Sequence, residues 1–347
     1  MPNFDVSKEW VILAPKGVKG VRKCAEDLCG CVGLLRKLPG AAFAPPRIED
    51  AAGPAPPEEA PIIILNAGDA GPQRNGFSWR AGERRIEIYG ESGRGLCNGV
   101  YDFLSALGFR WPQPDGRELR GKEISPALKA DMIYPLKSGG VYSPSNYSGG
   151  GPKDIPWKRF VVDAKTPYLR RAKKPDALIA WAARNKYDAL VFPLESPIQA
   201  GKTAGDYALE LEAGGWQLSR LLPRKLFLFH REFFRMEGGK RRKDINFCPT
   251  NPETIRIIKE EGAKFFRSAP GVKIFHLWPD RGEEKNWCTC PTCRAFTPAE
   301  QNRIAINAVA DALAEINKTA FISFYEEKGE AADIPLRKNV FALETLP

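Results

Sequence analysis

The chain of 347 residues holds two histidines, His230 and His276, and each follows a largely apolar run, Leu226-Phe-Leu-Phe229 and Val272-Lys-Ile-Phe275. Carboxylates close similar runs: Glu195 after Phe192-Pro-Leu194, Asp280 after His276-Leu-Trp-Pro279, Glu326 after Tyr325, and Glu344 after Ala342-Leu343. Reactive side chains of this kind gather at the carboxyl ends of parallel strands, where loops vary on a rigid base. Trp181, Trp216, Trp278 and Trp287 fall on or near the same ends. Flat aromatic faces beside carboxylates suit sugar rings, whose C–H faces stack while their hydroxyls bond to acids. Glycosidic cleavage needs one protonated carboxyl for the leaving oxygen and a second group as nucleophile or base. We expect Asp280 to be the acid, with Glu326 or Glu195 as its partner, because Trp278 would desolvate it and burial favours the neutral form. His230, His276, Trp278, Arg231, Tyr325 and Glu344 are expected to contact substrate. Arg231 or Arg281 would grip a sugar carboxylate with a guanidinium fork.

A second constellation is Cys288-Thr-Cys290-Pro-Thr-Cys293, whose three thiols can converge on one ion, with Cys248 available as a fourth ligand. A structural zinc site, a disulfide and unpaired thiols all fit this spacing. A closed thiolate site leaves no open position for substrate, so no catalytic metal, and no cofactor for catalysis, is expected. Either link would tie the loop after the fourth strand of the second half to the loop after the third. Cys24, Cys29 and Cys31 lie on an N-terminal helical stretch and read as buried small side chains.

The elements that must position these groups follow from periodicity and from the breakers. Residues 1–118 read as a small α/β domain, with an apolar run Trp10–Ala14 and a helix from about Val18 to Leu38. A proline-rich linker over 44–61 is unable to hold a helix or a central strand, because proline lacks the donor that both need. Ile62–Leu65 is a short strand, Phe77–Arg80 and Arg85–Tyr89 form a hairpin, and Gly95–Leu107 is the closing helix. The turn Gly90-Glu-Ser-Gly-Arg-Gly95 matches no phosphate-binding fingerprint and reads as a turn that needs small residues. Residues 119–158, rich in proline, glycine and serine, read as a connection. Beyond it strands near 159–164, 187–194, 225–230, 272–279, 319–325 and 339–344 alternate with helices near 174–186, 252–267 and 300–316. Runs that are apolar throughout indicate a parallel sheet buried on both faces. We therefore expect a TIM-type (β/α) barrel over 159–347, incomplete at the C-terminus after about six strands.

Lysine and arginine number 52 against 42 aspartates and glutamates, a formal charge of +10. The surplus suits an acidic sugar and leaves open a polyanion-binding protein. Basic clusters such as Arg170-Arg171, Lys173-Lys174 and 240–243 are short, and no nucleic-acid-binding motif surrounds them, so no nucleic-acid partner is expected. No stretch reaches the roughly 18 apolar residues that span a bilayer, and the first residues lack the order of a signal peptide. The chain as written therefore reads as cytoplasmic, with no membrane partner; its oligomeric state is not legible.

Residues 77–111, including Phe77-Ser-Trp-Arg-Ala-Gly82, Ile86-Glu-Ile-Tyr-Gly90 and Leu107-Gly-Phe-Arg-Trp111, resemble the N-terminal α/β domain ahead of the barrel in α-glucuronidases and family 20 hexosaminidases. The second half resembles an uncharacterised bacterial family with a glycoside-hydrolase-type barrel, domain of unknown function 4838. The matching pieces are Trp181-Ala-Ala-Arg184-Asn185, Glu212-Ala-Gly-Gly215, Phe229-His230, Phe247-Cys248, Asn251-Pro252-Glu253, Pro279-Asp280 and the three closely spaced cysteines. The resemblance implies a TIM-type barrel acting on glycans, with Asp280 at a rim position where related hydrolases carry an acid. Family 20 enzymes place adjacent Asp-Glu there, whereas Asp280 is followed by Arg281, with Glu283 and Glu284 further on. The expected function is hydrolysis of an oligo- or polysaccharide, with uronic-acid-containing glycans favoured by the charge. The alternative is a non-catalytic glycan-binding protein on the same scaffold.

Overall fold

The structure, a computed structural model, describes residues 3–5, 8–35, 46–69, 75–111, 133–135, 139–142, 159–161, 175–194, 201–280, 286–326 and 332–344. In its N-terminal part the elements are β1 (Asn3–Asp5), β2 (Val11–Ala14), α1 (Val21–Leu35), β3 (Arg47–Asp50), β4 (Ile62–Ala67), β5 (Phe77–Ala81), β6 (Arg85–Gly90), α2 (Gly93–Ala106), β7 (Ile133–Pro135) and β8 (Gly139–Tyr142). Alternation along Arg85–Gly90 buries Ile86 and Ile88 and leaves Arg85 and Tyr89 outside, as a half-covered strand requires. The six-stranded sheet runs β3-β2-β4-β6-β5-β8, with β5 antiparallel to β6 and β8 and the other pairs parallel. The proline-rich segment thus contains a strand after all. Arg47–Asp50 lies between prolines and sits at the sheet edge, the position prolines permit. The segment expected to connect the halves, 119–158, lends β7 and β8 to pairings with β1 and β5; the rest of it lies outside the described residues.

The second part comprises β9 (Arg159–Val161), α3 (Pro175–Arg184), β10 (Ala189–Phe192), α4 (Gly201–Asp206), β11 (Glu210–Gly215), β12 (Met236–Glu237), β13 (Lys240–Arg241), α5 (Pro252–Ser268), β14 (Ile274–Leu277), α6 (Pro298–Ile316), β15 (Phe321–Glu326) and β16 (Val340–Glu344). Here β9, β10, β11, β14, β15 and β16 form one sheet with every pair parallel and neighbours in chain order. A doubly wound sheet would reverse its order part-way. Ala189–Phe192 and Ile274–Leu277 are buried at every position, as in a sheet covered on both faces. Asn251 caps α5 by accepting from Thr254 N, with Pro252 following, and Thr297 and Glu300 form a capping box on α6.

The third strand differs from the expectation. It is Glu210–Gly215, while Arg224–Leu228 and Arg231–Phe233 are 3-10 turns inside the long loop between β11 and α5. The apolar run 226–229 misleads because Leu226 and Phe227 are only half-buried, and Leu228 and Phe229 are 73% and 82% exposed. Glu210–Gly215 lacks β-branched and aromatic residues, yet its backbone is held between β10 and β14. A side chain at Gly214, whose φ is +118°, would place a Cβ 1.9 Å from the His276 carbonyl oxygen, so glycine is what lets these strands approach.

The two parts share a core. One apolar cluster runs from Trp10, Leu28, Ile88 and Phe103 to Leu178, Ile179, Leu190 and Leu209. Polar bridges cross the same seam. Arg94 donates to the carbonyls of Tyr207 and Ala183 at 3.1 and 2.8 Å, Asn98 to Asp188 at 3.0 Å, and Arg184 to Asp27 at 3.0 Å.

Candidate functional site

Three adjacent strands of the parallel sheet bring aromatic residues together at their carboxyl ends: Trp216 just past β11, Trp278 just past β14, and Tyr325 next to last in β15. Parallel neighbours bring them together. Trp216 stacks on Tyr325 with centroids 5.1 Å apart and planes at 8°, and Trp278 meets both edge-on at 5.3 and 4.8 Å. Trp216 is 39% exposed and Trp278 is buried, so the group forms a platform with one open member.

Beneath it lies a polar network that sequence reasoning missed. His276 is fully buried; its Nε2 is 2.7 Å from Glu212 Oε2 and its Nδ1 2.5 Å from Ser323 Oγ, while Trp278 Nε1 donates to the same hydroxyl at 3.2 Å. The Ser323 hydroxyl thus serves both the indole N–H and the imidazole, while the Glu212 carboxylate faces the other ring nitrogen. Neighbouring inward positions of β11, β14 and β15 create this row, with Gly214 paired to His276 and His276 to Ser323. Its only signal in the sequence was the acidic residue inside the Glu210-Leu-Glu-Ala-Gly-Gly215 run. His276, expected to contact substrate, has both of its ring nitrogens beside buried partners.

Asp280 is half-buried and clasped to Asn246. Asn246 N–H donates to Asp280 Oδ2 at 3.2 Å, Asp280 N–H donates to Asn246 Oδ1 at 2.9 Å, and Asn246 Nδ2 reaches the carbonyls of Asp280 and Asn286 at 3.2 and 2.8 Å. Asn246 is buried with φ +39°, a left-handed conformation that asparagine tolerates better than most residues, and Arg224 donates to its carbonyl at 2.8 Å. Burial pushes the Arg224 guanidinium down from its ordinary value, an effect that the charges of Asp280 and then Asp244 oppose.

His230 and Arg231 do not close a strand. They sit on the exposed loop, where His230 stacks on Phe233 at 4.7 Å with Nδ1 3.2 Å from Glu232, and Arg231 lies over Phe227 at 5.6 Å. Trp181 belongs to the seam between the two parts, donating to the Trp111 carbonyl at 2.9 Å, and Trp287 packs edge-on against Phe247. Glu326 and Glu344 end β15 and β16 opposite each other in register, and their side chains lie outside the description. Glu195, Arg281, Glu283, Glu284 and the basic cluster 170–174 lie outside the described residues. A cavity of about 650 Å³ between α5 and α6, lined by Arg256, Lys259, Lys264 and Arg267 among others, includes none of the candidate residues.

The four grouped cysteines converge. Cys248, Cys288, Cys290 and Cys293 are buried, and their sulfurs all lie within 4.8 Å of one another. Cys248 Sγ is 3.8 Å from Cys290 Sγ and 3.7 Å from Cys293 Sγ, far beyond a disulfide bond of about 2.05 Å, and the eight cysteines carry no disulfide. Hydrogen bonds from neighbouring thiols, Cys288 first and Cys293 next, hold the Cys248 thiol well below its ordinary range.

Residues 159–341 match the family described as Domain of unknown function (DUF4838). The chain belongs to that family. No curated protein sequence matches it. Among solved structures, a chitobiase from Flavobacterium johnsoniae aligns over 94% of this chain and 50% of its own, at 15% identity and a TM-score of 0.52. A mutant β-hexosaminidase from Streptomyces plicatus aligns over 93% of this chain and 62% of its own, at 12% identity and a TM-score of 0.52. A family GH115 4-O-methyl-α-glucuronidase aligns over 94% of this chain and 43% of its own, at 13% identity and a TM-score of 0.53. These likenesses are of fold, and the chain spans 43% to 62% of the length of the three proteins. Among the described residues, no helix is long and apolar enough to cross a membrane.

Proposed function

We propose that this protein of the DUF4838 family is carbohydrate-active, binding an oligo- or polysaccharide at the carboxyl end of its parallel sheet and hydrolysing a glycosidic bond there. The observation that carries this reading is the platform of Trp216, Trp278 and Tyr325 at the ends of three adjacent parallel strands. Its open member, Trp216, suits the C–H face of a sugar ring. The consecutive strand order supports a sheet curving as a (β/α) barrel does, which places binding groups at this end. Proteins of like fold include a chitobiase, a β-hexosaminidase and an α-glucuronidase, in keeping with a sugar polymer as substrate.

In this reading Asp280 protonates the leaving oxygen and Glu326 or Glu195 serves as nucleophile or base. The buried row Glu212–His276–Ser323 holds Trp278 through its indole N–H, so His276 positions the platform and does not touch the sugar. Arg231 or Arg281 would grip the carboxylate of an acidic sugar.

A second reading draws on one observation: Asp280 uses a carboxylate oxygen to hold the Asn246 loop, a structural task. The protein would then bind glycans without cleaving them.

One experiment separates these readings. Purified protein is assayed on aryl-glycosides and aryl-uronides, with Asp280→Asn, which keeps an acceptor for Asn246, and Trp216→Ala as variants. Hydrolysis predicts that Asp280→Asn lowers kcat by about 10²-fold or more, and that Trp216→Ala raises KM. Saccharide binding without turnover, weakened by Trp216→Ala alone, establishes the second reading. Neither turnover nor binding overturns both, and binding of any anionic polymer that collapses with salt points to the +10 charge instead.

A further inference from the structure

We infer that Cys248, Cys288, Cys290 and Cys293 bind one zinc ion in a closed tetrathiolate centre that clips the loop after β11 to the loop after β14. Geometry carries the inference. Sulfurs about 2.3 Å from a tetrahedral zinc lie about 3.8 Å from one another, and Cys248 Sγ stands 3.8 and 3.7 Å from Cys290 Sγ and Cys293 Sγ. All four sulfurs fall within 4.8 Å, a spread that suits a single ion and leaves little room for a polynuclear cluster. Four soft thiolates and no other ligand type favour zinc over magnesium, calcium or manganese.

The surroundings are those of a charged centre. Each thiol gives up its proton to solvent on binding, so the centre carries a net charge of −2, which requires donors aimed at sulfur. Met236 N–H donates to Cys288 Sγ at 3.2 Å, and Arg241 Nη1 lies 3.8 Å from the same sulfur. Buried Gln301 holds the ligand loop in shape, accepting from Cys288 N at 3.0 Å and donating to the Cys288 and Cys293 carbonyls at 3.1 and 3.2 Å. The consequence reaches Asp280. Cys248 stands two residues beyond Asn246, which grips Asp280 and Asn286, so the ion would lock the loop that orients Asp280. It would take no part in chemistry, since all four positions are filled by protein.

Metal analysis of protein purified without added metal or chelator should find one zinc per chain. Exchange for cobalt(II) should give the charge-transfer and visible bands of a tetrahedral tetrathiolate, a measurement that needs no variant. Cys290→Ser should lower zinc retention against a competing chelator at least about 10-fold. Arg241→Gln, which leaves all four ligands in place, provides a second test, with an affinity loss of about 10-fold or more from removing an outer donor. Chelation should speed hydrogen exchange over residues 236–250 and 286–296 and leave α5 and α6 protected. Protein that is metal-free with all thiols reactive, one that carries iron, or one with a disulfide among the four overturns the inference. None of these readouts depends on glycan activity.

Discussion

Ser323 stands between two buried groups, accepting the Trp278 indole N–H and meeting His276 Nδ1, so one small hydroxyl satisfies both. Removing it takes the acceptor from the buried Trp278 indole N–H, and leaving a buried donor unsatisfied costs about 1–3 kcal/mol. Ser323→Ala should lower the unfolding free energy by about that amount, read as a lower urea midpoint at an unchanged m-value. A loss under about 0.5 kcal/mol, typical of surface substitutions, would mean that the network does not hold the strands together. Asp280 poses a different question at this scale. Its carboxylate serves a loop clasp that hydrolysis would also need intact, which is why Asp280→Asn is the informative change and Asp280→Ala is not.

Among elements, the seam between α1, α2 and the α3–β11 segment has its own pH signature. Burial first, and the Asp27 charge next, push the Tyr101 and Tyr207 hydroxyls up, and the same two causes push the Cys31 thiol up to about 12. The folded protein keeps protons that the unfolded chain releases near pH 8.5 for thiols and about pH 10 for phenols. With more protons bound in the folded state, stability falls as pH rises through that window and is unaffected below it. The contribution of these three groups to the unfolding temperature should therefore hold level up to about pH 8.5 and then decline. Tyr207→Phe, which has no proton to release, should flatten the part of the decline above about pH 10. An unchanged slope would remove Tyr207 as a contributor.

For the molecule as a whole, the continuous core joining Trp10–Trp111 to Leu178–Leu209 predicts one cooperative unit. A second apolar cluster, from Leu194 to Val340, is tied to the first through the β10–β11 pair, so neither sheet keeps its cover if the other unfolds. Calorimetry should give one transition with van't Hoff and calorimetric enthalpies nearly equal. Two transitions, the first confined to residues 10–111, would show that the seam is too weak to couple the parts.

The sequence by itself determined the strand–helix alternation, the hairpin at 81–84, the helices near 252–267 and 300–316, and the grouping of Cys288, Cys290 and Cys293. Those features rest on local periodicity, turn residues and short spacings, which act over a few residues of chain. Only the tertiary structure decided that Glu210–Gly215 is the third strand and Leu226–Phe229 is not. It alone brought Cys248 to the other cysteines and turned His276 away from solvent toward Glu212 and Ser323. A strand poor in β-branched residues is held by its neighbours' hydrogen bonds, and an apolar run left in a long loop finds no sheet to join. Such outcomes depend on partners tens of residues away in the chain, and propensity along the sequence carries no record of them.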